Sequence, residues 1–164
     1  MKHLVSIEAA TKPFDGFWMK SAYRIPNGKF PVIERFLSQE NETTTPITEM
    51  VVNSLITSPA AGMRVAARQP VAVTGIAWDA GYGIQSVEVS PDNGATWQPA
   101  TLGEDAGRFS FRPFSARLSF AKPGAQVILA KATNRLGATQ TRELIQNPAG
   151  YHHNLVARVA VTVA

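Results

Sequence analysis

The chain has 164 residues, 45% of them hydrophobic and 17% charged, and contains no cysteine. Its length allows one domain plus an appendage, with roughly 70% of the unfolded surface buried on folding. The lack of cysteine excludes a disulfide framework, a thiolate zinc site, an iron–sulfur cluster and a cysteine nucleophile. Sixteen Lys and Arg against twelve acids leave a charge of +4. The excess is dispersed, with six bases and three acids in residues 1–37 and ten bases and seven acids in residues 49–164. A basic excess without clustering predicts a solvated surface and no nucleic-acid partner.

At the N-terminus the apolar run of Met1–Glu8 is interrupted by Ser6 and ended by Glu8, too short for the core of a signal peptide. No window approaches the ~20 apolar residues of a membrane span, so no membrane partner is expected. Residues 1–37 carry Phe14, Phe17, Trp18, Tyr23, Phe30 and Phe36 between the breakers Pro13, Gly16, Pro26, Gly28 and Pro31. Such punctuation precludes a long helix and predicts an irregular segment whose aromatics need a surface to pack on. Residues 38–48, opening with Ser38-Gln39-Glu40-Asn41-Glu42-Thr43-Thr44-Thr45-Pro46, read as a linker.

From residue 49 to 164 the pattern is short apolar runs between turn signals, which predicts an all-β sandwich. The expected strands are 51–57, 71–78, 84–90, 97–102, 108–114, 126–133 and 155–163, about seven in all. Val87 and Val89 flank Glu88, and Val159, Val161 and Val163 alternate with Arg158, Ala160 and Thr162, so one face of each of these strands is expected to be buried. Pro91-Asp92-Asn93-Gly94 and Pro123-Gly124 have the chemistry of tight turns.

Candidate chemistry is sparse. Gly81-Tyr82-Gly83 lacks the third glycine of a dinucleotide loop and joins two strands, so it reads as a permissive turn. His152 and His153 are neighbours, and in extended chain their side chains diverge, which disfavours a shared metal. Trp18, Trp78 and Trp97 read as core or interface anchors. Asn41-Glu42-Thr43 fits a glycosylation sequon, and Glu104-Asp105, Asp79 and Asp92 sit in or beside turns. No Ser/His/Asp order, zinc helix or phosphate loop is present, so the residues by themselves describe a sandwich module without a catalytic constellation.

Four motifs in order carry a specific resemblance. They are Gly75-Ile76-Ala77-Trp78 with Gly81-Tyr82-Gly83-Ile84; Val87-Glu88-Val89-Ser90-Pro91-Asp92-Asn93-Gly94-Ala95-Thr96-Trp97; Ala132-Thr133-Asn134 with Gly137 and Gln140; and Asn147-Pro148-Ala149-Gly150-Tyr151 with Asn154, Arg158 and Val159. Residues 49–164 thereby resemble the C-terminal, immunoglobulin-like dimerisation domain of the sulfite oxidase family of molybdenum oxidoreductases, on the side of the bacterial sulfite dehydrogenases. Residues 1–37, through Phe14-Asp15-Gly16-Phe17-Trp18-Met19-Lys20 and Tyr23-Arg24-Ile25-Pro26, are similar to the end of that family's molybdenum-cofactor domain.

The resemblance implies a non-catalytic dimerisation domain that forms a homodimer, within an enzyme that oxidises sulfite to sulfate and passes electrons to cytochrome c in the periplasm. The chain itself is expected to hold no cofactor and to be inactive alone. The molybdenum–molybdopterin group is expected to belong to a cofactor domain missing from this chain, since the family's metal ligand is a cysteine. Met1-Lys2-His3-Leu4 is similar to a family motif whose lysine contacts the pterin, which makes Lys2 the one cofactor-binding candidate, with His3 standing in place of a Trp. Ala149 occupies the position at which animal members carry an anion-binding arginine; alanine supplies no such donor. A free-standing immunoglobulin-like module for carbohydrate or protein is the alternative reading.

Overall fold

The structure, a computed structural model, describes residues 3–27, 42–144 and 150–164, which form two compact units. Lys2, Asn41 and Ala149 lie outside the described residues.

The first unit comprises Met1–Thr48 and Ile145–Tyr151. A single π-helical turn, Trp18–Ala22, leads into strand β1, Arg24–Pro26, which pairs antiparallel with β2, Thr44–Pro46. Part of the stretch expected to be a linker is therefore a strand. Proline at the end of both segments hides them from a propensity reading, but a three-residue register with a buried arginine needs few ladder bonds. Arg24 donates from Nε to Thr44 Oγ1 and from Nη2 to the Thr44 carbonyl, both at 2.8 Å. The aromatics of this unit pack partly on one another: Phe17 meets Trp18 edge-on at 5.2 Å, Trp18 meets Tyr23 at 5.7 Å and Tyr23 meets Tyr151 at 5.9 Å.

The second unit, Glu49–Leu144 and His152–Ala164, is a two-sheet sandwich. Its strands are β3 (Asn53–Ser58), β4 (Arg64–Val65), β5 (Val71–Trp78), β6 (Ile84–Ser90), β7 (Gln98–Pro99), β8 (Thr101–Leu102), β9 (Arg112–Leu118), β10 (Gly124–Asn134) and β11 (Ala157–Val163). One sheet runs β4-β11-β10-β6-β7 and the other β3-β5-β9-β8, all pairs antiparallel except β4 with β11. The expected all-β, immunoglobulin-like sandwich is what the chain forms, and β5 and β6 coincide with the predicted strands.

Period-2 patterning builds the core. Val73 and Ala77 of β5, Val87 and Val89 of β6, Phe114 and Leu118 of β9, Ile128 and Ala132 of β10, and Val161 and Val163 of β11 all point inward and are buried. Gly75 sits mid-strand because the Phe114 ring lies where its Cβ would be, so the missing side chain admits an aromatic from the neighbouring strand.

Strand β4 has no counterpart among the expected strands, and two of the expected ones differ. Residues 97–102 are not one strand: β7 pairs with β6 in one sheet and β8 pairs with β9 in the other. Pro99 has no N–H to continue the first ladder, and the chain crosses between sheets at Ala100, whose N–H donates to Val87 O at 2.8 Å. The strand expected at 108–114 runs instead over 112–118, since Phe109 and Phe111 remain exposed in the preceding loop. The inward series is Phe114, Ala116 and Leu118, and the two earlier phenylalanines mimic its alternation without continuing it.

The turn Pro91-Asp92-Asn93-Gly94 forms as its chemistry predicts, with Asn93 and Gly94 at φ of 56° and 87°. Ser90 Oγ accepts from Gly94 N at 2.8 Å and donates to Asp92 Oδ1 at 2.8 Å. Asp92 also accepts from Thr96 N at 2.8 Å and Thr96 Oγ1 at 2.7 Å.

Candidate functional site

The outer faces of the two sheets differ in chemistry. On the four-stranded sheet Leu55, Ile76 and Pro113 stand side by side across β3, β5 and β9, forming one apolar row. Beside it Trp78 packs edge-on against Phe111 at 5.6 Å. Leu55 is 51% exposed and Phe111 58% exposed, although both belong to this apolar group. Farther along, the face carries Thr74, Ser115 and Thr101, then Ala72 beside Arg117. The four strands of this sheet contain no Asp or Glu.

The five-stranded sheet presents charge. Lys131 Nζ lies 2.8 Å from Glu88 Oε2 across the β6–β10 pair and 4.6 Å above the Trp97 ring. Arg158 and Thr162 of β11 are exposed on the same sheet. Charged outer rows face water without cost, whereas a contiguous apolar row rimmed by hydroxyls has the composition of a protein contact.

The residues singled out in the sequence fall into place as follows. Asp79, 6% exposed, accepts from Gly81 N at 2.9 Å and Gly83 N at 3.2 Å through Oδ1, and from Asn134 Nδ2 at 3.1 Å through Oδ2. It shapes the Gly81-Tyr82-Gly83 loop, which is a turn as expected. Tyr82 donates to both carboxylate oxygens of Glu49 at 3.0 Å, and that hydrogen bond, reinforced by the carboxylate's charge, holds the phenol above its ordinary value. His152 Nε2 lies 2.9 Å from the Glu49 carbonyl, while His153 takes part through its own carbonyl, which accepts from Asn53 Nδ2 at 3.1 Å. Trp78 and Trp97 serve different sheets, so these two form no common stacking platform; Trp18 belongs to the first unit. Asp105 pairs with Arg112 at 2.7 Å and Arg135 at 3.6 Å.

The sequence reading missed Gln140 as a structural centre. It is 2% exposed, and all four of its hydrogen-bonding positions are filled. Oε1 accepts from Ser54 Oγ at 2.7 Å and Ala132 N at 2.9 Å, and Nε2 donates to Asn53 Oδ1 at 2.9 Å and Leu155 O at 2.8 Å. The motif Ala132…Asn134…Gly137…Gln140 contained the signal, but not the distant partners, Ser54 and Asn53 of β3 and Leu155 before β11.

An all-β sandwich with a charged face and an apolar face defines the class, an immunoglobulin-like association module. The family model for the Mo-co oxidoreductase dimerisation domain matches residues 44–164, and the chain belongs to that family. The resemblance drawn from the four motifs is thus borne out. The chain is similar to the sulfane dehydrogenase SoxCD from Paracoccus pantotrophus, with 22% identity over 92% of this chain and a TM-score of 0.66, and it spans 37% of that chain. It is also similar to the CARDB domain of PF1109 from Pyrococcus furiosus (16% identity, 71% of this chain, 98% of that one, TM-score 0.47) and to the fibronectin(III)-like modules of Clostridium thermocellum CbhA (20%, 67%, 93%, TM-score 0.45). No curated protein matches the sequence.

The family implies a molybdenum cofactor in the parent enzyme. The residues of this chain do not fit the metal: there is no thiolate, and among the described residues no three His, Asp or Glu side chains converge. Among the described residues, no helix is long and apolar enough to cross a membrane.

Proposed function

We propose that the sandwich pairs two copies of this chain through the outer face of its four-stranded sheet, and so holds together a dimeric molybdenum-cofactor enzyme. The observation that carries this is the row Leu55, Ile76 and Pro113 with Trp78 and Phe111, in a sheet whose strands contain no acidic residue. A two-fold axis uses one patch twice, and the uncharged row meets its own copy without like-charge repulsion, Arg117 lying toward the other end of the face. Burying side chains of this size contributes about 1.5–3 kcal/mol each, enough for a few central anchors to sustain a dimer.

The parent reaction in this reading is oxidation of a sulfite-like sulfur compound at a cofactor domain, with electrons passing to cytochrome c in the periplasm. Support comes from the motif resemblance, from the family and from the sulfane dehydrogenase among the structural relatives. In this arrangement the sandwich contributes association and the cofactor domain the chemistry.

Sedimentation of the full chain across micromolar concentrations tests the dimer face. The wild type is expected to dimerise, Leu55→Glu to weaken association roughly 30-fold or more, and Thr162→Glu on the other sheet to leave it unchanged. An equally tight dimer in Leu55→Glu overturns the assignment of the face. Sulfite-dependent reduction of cytochrome c by the holoenzyme, with its recovery in the periplasmic fraction, tests the rest.

A further inference from the structure

At one end of the sandwich the loop after β5, the loop before β9 and the turn after β10 enclose a cavity of about 230 Å³. Three arginines line it, Arg108 and Arg112 from the loop before β9 and its first residue and Arg135 from the turn after β10, against two carboxylates, Asp79 and Asp105. The Asp79 carboxylate is engaged by Gly81, Gly83 and Asn134, and Asp105 is the one ion-paired with Arg112 and Arg135.

The cations are held in place by the fold. Arg108 donates from Nε to Gly81 O at 3.1 Å and lies over the Phe109 ring at 5.1 Å. Arg135 follows the Asn134 turn, its N–H donating to Gly83 O at 2.9 Å. A Cβ at Gly83 would stand 3.2 Å from the Arg135 guanidinium carbon, so the glycine makes room for that head group. Arg112 is bound to Asp105 through Nη1, yet its Nε–H is shut off from solvent and has no acceptor among the described residues. A buried donor of a charged group left without an acceptor costs more than a neutral one, so Arg112 is held here at some expense of stability.

We propose that this cavity binds a small tetrahedral oxyanion of the phosphate or sulfate class. Its oxygens take the free donors of Arg135 and Arg108, and Arg112, held by Asp105, adds positive charge to the wall. Planar forked guanidinium groups match an anion with several oxygens better than a spherical halide. The volume lies below the roughly 300–1,000 Å³ of sites for drug-sized ligands, which restricts the occupant to a small ion. Asp105 competes with the anion for Arg112 and Arg135, so its loop sets the affinity. The site borders the proposed dimer face, since Trp78 takes part in both, and it goes beyond the association role.

Titration of the full chain with inorganic phosphate at constant ionic strength, followed by amide NMR, tests the proposal. Saturable shifts are expected at Gly81, Gly83 and Gly107. Arg135→Gln, at an exposed side chain, is expected to weaken binding at least tenfold, and Arg117→Gln at the far end of the same sheet to leave it unchanged. Asp105→Asn is expected to tighten binding severalfold, which a general loss of structure would not do. Non-saturating shifts, equal binding by Arg135→Gln, or weaker binding by a folded Asp105→Asn overturns the site.

Discussion

Gln140 Oε1 accepts a 2.7 Å hydrogen bond from Ser54 Oγ, joining two residues 86 positions apart and drawing β3 of one sheet toward the segment that follows β10 of the other. Because the amide also holds Ala132 N, Asn53 and Leu155, it ties together three separate stretches of chain. Gln140→Ala strands the Ala132 N–H, leaves the Ser54 hydroxyl only its 3.4 Å contact with Ala130 O, and opens a cavity. The expected cost is about 2–4 kcal/mol, measurable by urea unfolding, whereas Ser54→Ala alone is expected to cost about 1 kcal/mol. Equal losses from the two variants would refute the centrality of Gln140.

Gly75 and Phe114 are a matched pair, the ring filling the space of the missing Cβ. Gly75→Ala is expected to destabilise by about 1–3 kcal/mol through overpacking. Combined with Phe114→Leu, the alanine should cost less than it does alone, a coupling that a double-mutant cycle reads directly.

Asp92 offers a pH test. Burial raises its carboxyl pKa, but hydrogen bonds from Thr96 N–H, the Thr96 and Ser90 hydroxyls and Ala95 N–H together outweigh that effect and hold it below its ordinary value of 3.8. A lowered native pKa means that the unfolded chain binds the proton more tightly. The stabilisation is therefore present above the unfolded value and lost as pH falls through the lowered native one. The stability difference between wild type and Asp92→Asn is expected to be constant near neutrality and to shrink below about pH 4. A difference that grows on acidification contradicts this.

The amide of Asn134 donates to Asp79 Oδ2 at 3.1 Å, both residues being buried. Asn134→Asp sets two buried carboxylates against each other, which raises the pKa of one. An acid whose native pKa is raised is destabilising above that value, so the variant is expected to unfold more easily at pH 7 and to recover as pH falls toward 5. Thermal unfolding across that range measures it; a variant with the wild-type pH profile rejects the contact.

Much of the sandwich was legible in the sequence because its strands alternate with period 2 and its turns carry diagnostic residues. Val71–Trp78 and Ile84–Ser90 come out at their observed bounds, and the Asn93-Gly94 turn follows from local chemistry alone. The split at Ala100 and the late start of β9 were not legible, since Pro99 and the pair Phe109 and Phe111 read the same in a strand and in a loop. Even the motif residues were visible as types before their work was: Asp79 beside a strand end, and Asn134 and Gln140 in a motif, prove to be the hydrogen-bonded frame of the turns and sheets.

By itself the sequence determined that this protein is a cysteine-free all-β sandwich of the dimerisation type, because alternation, turn residues and the order of four motifs are properties of neighbouring positions along the chain. Only the tertiary structure decided that Leu55, Ile76 and Pro113 make one apolar row and that three arginines share one cavity. Those groupings depend on strand register and on which loops meet at the end of a sandwich, and residues up to 58 positions apart become neighbours only when the sheets close.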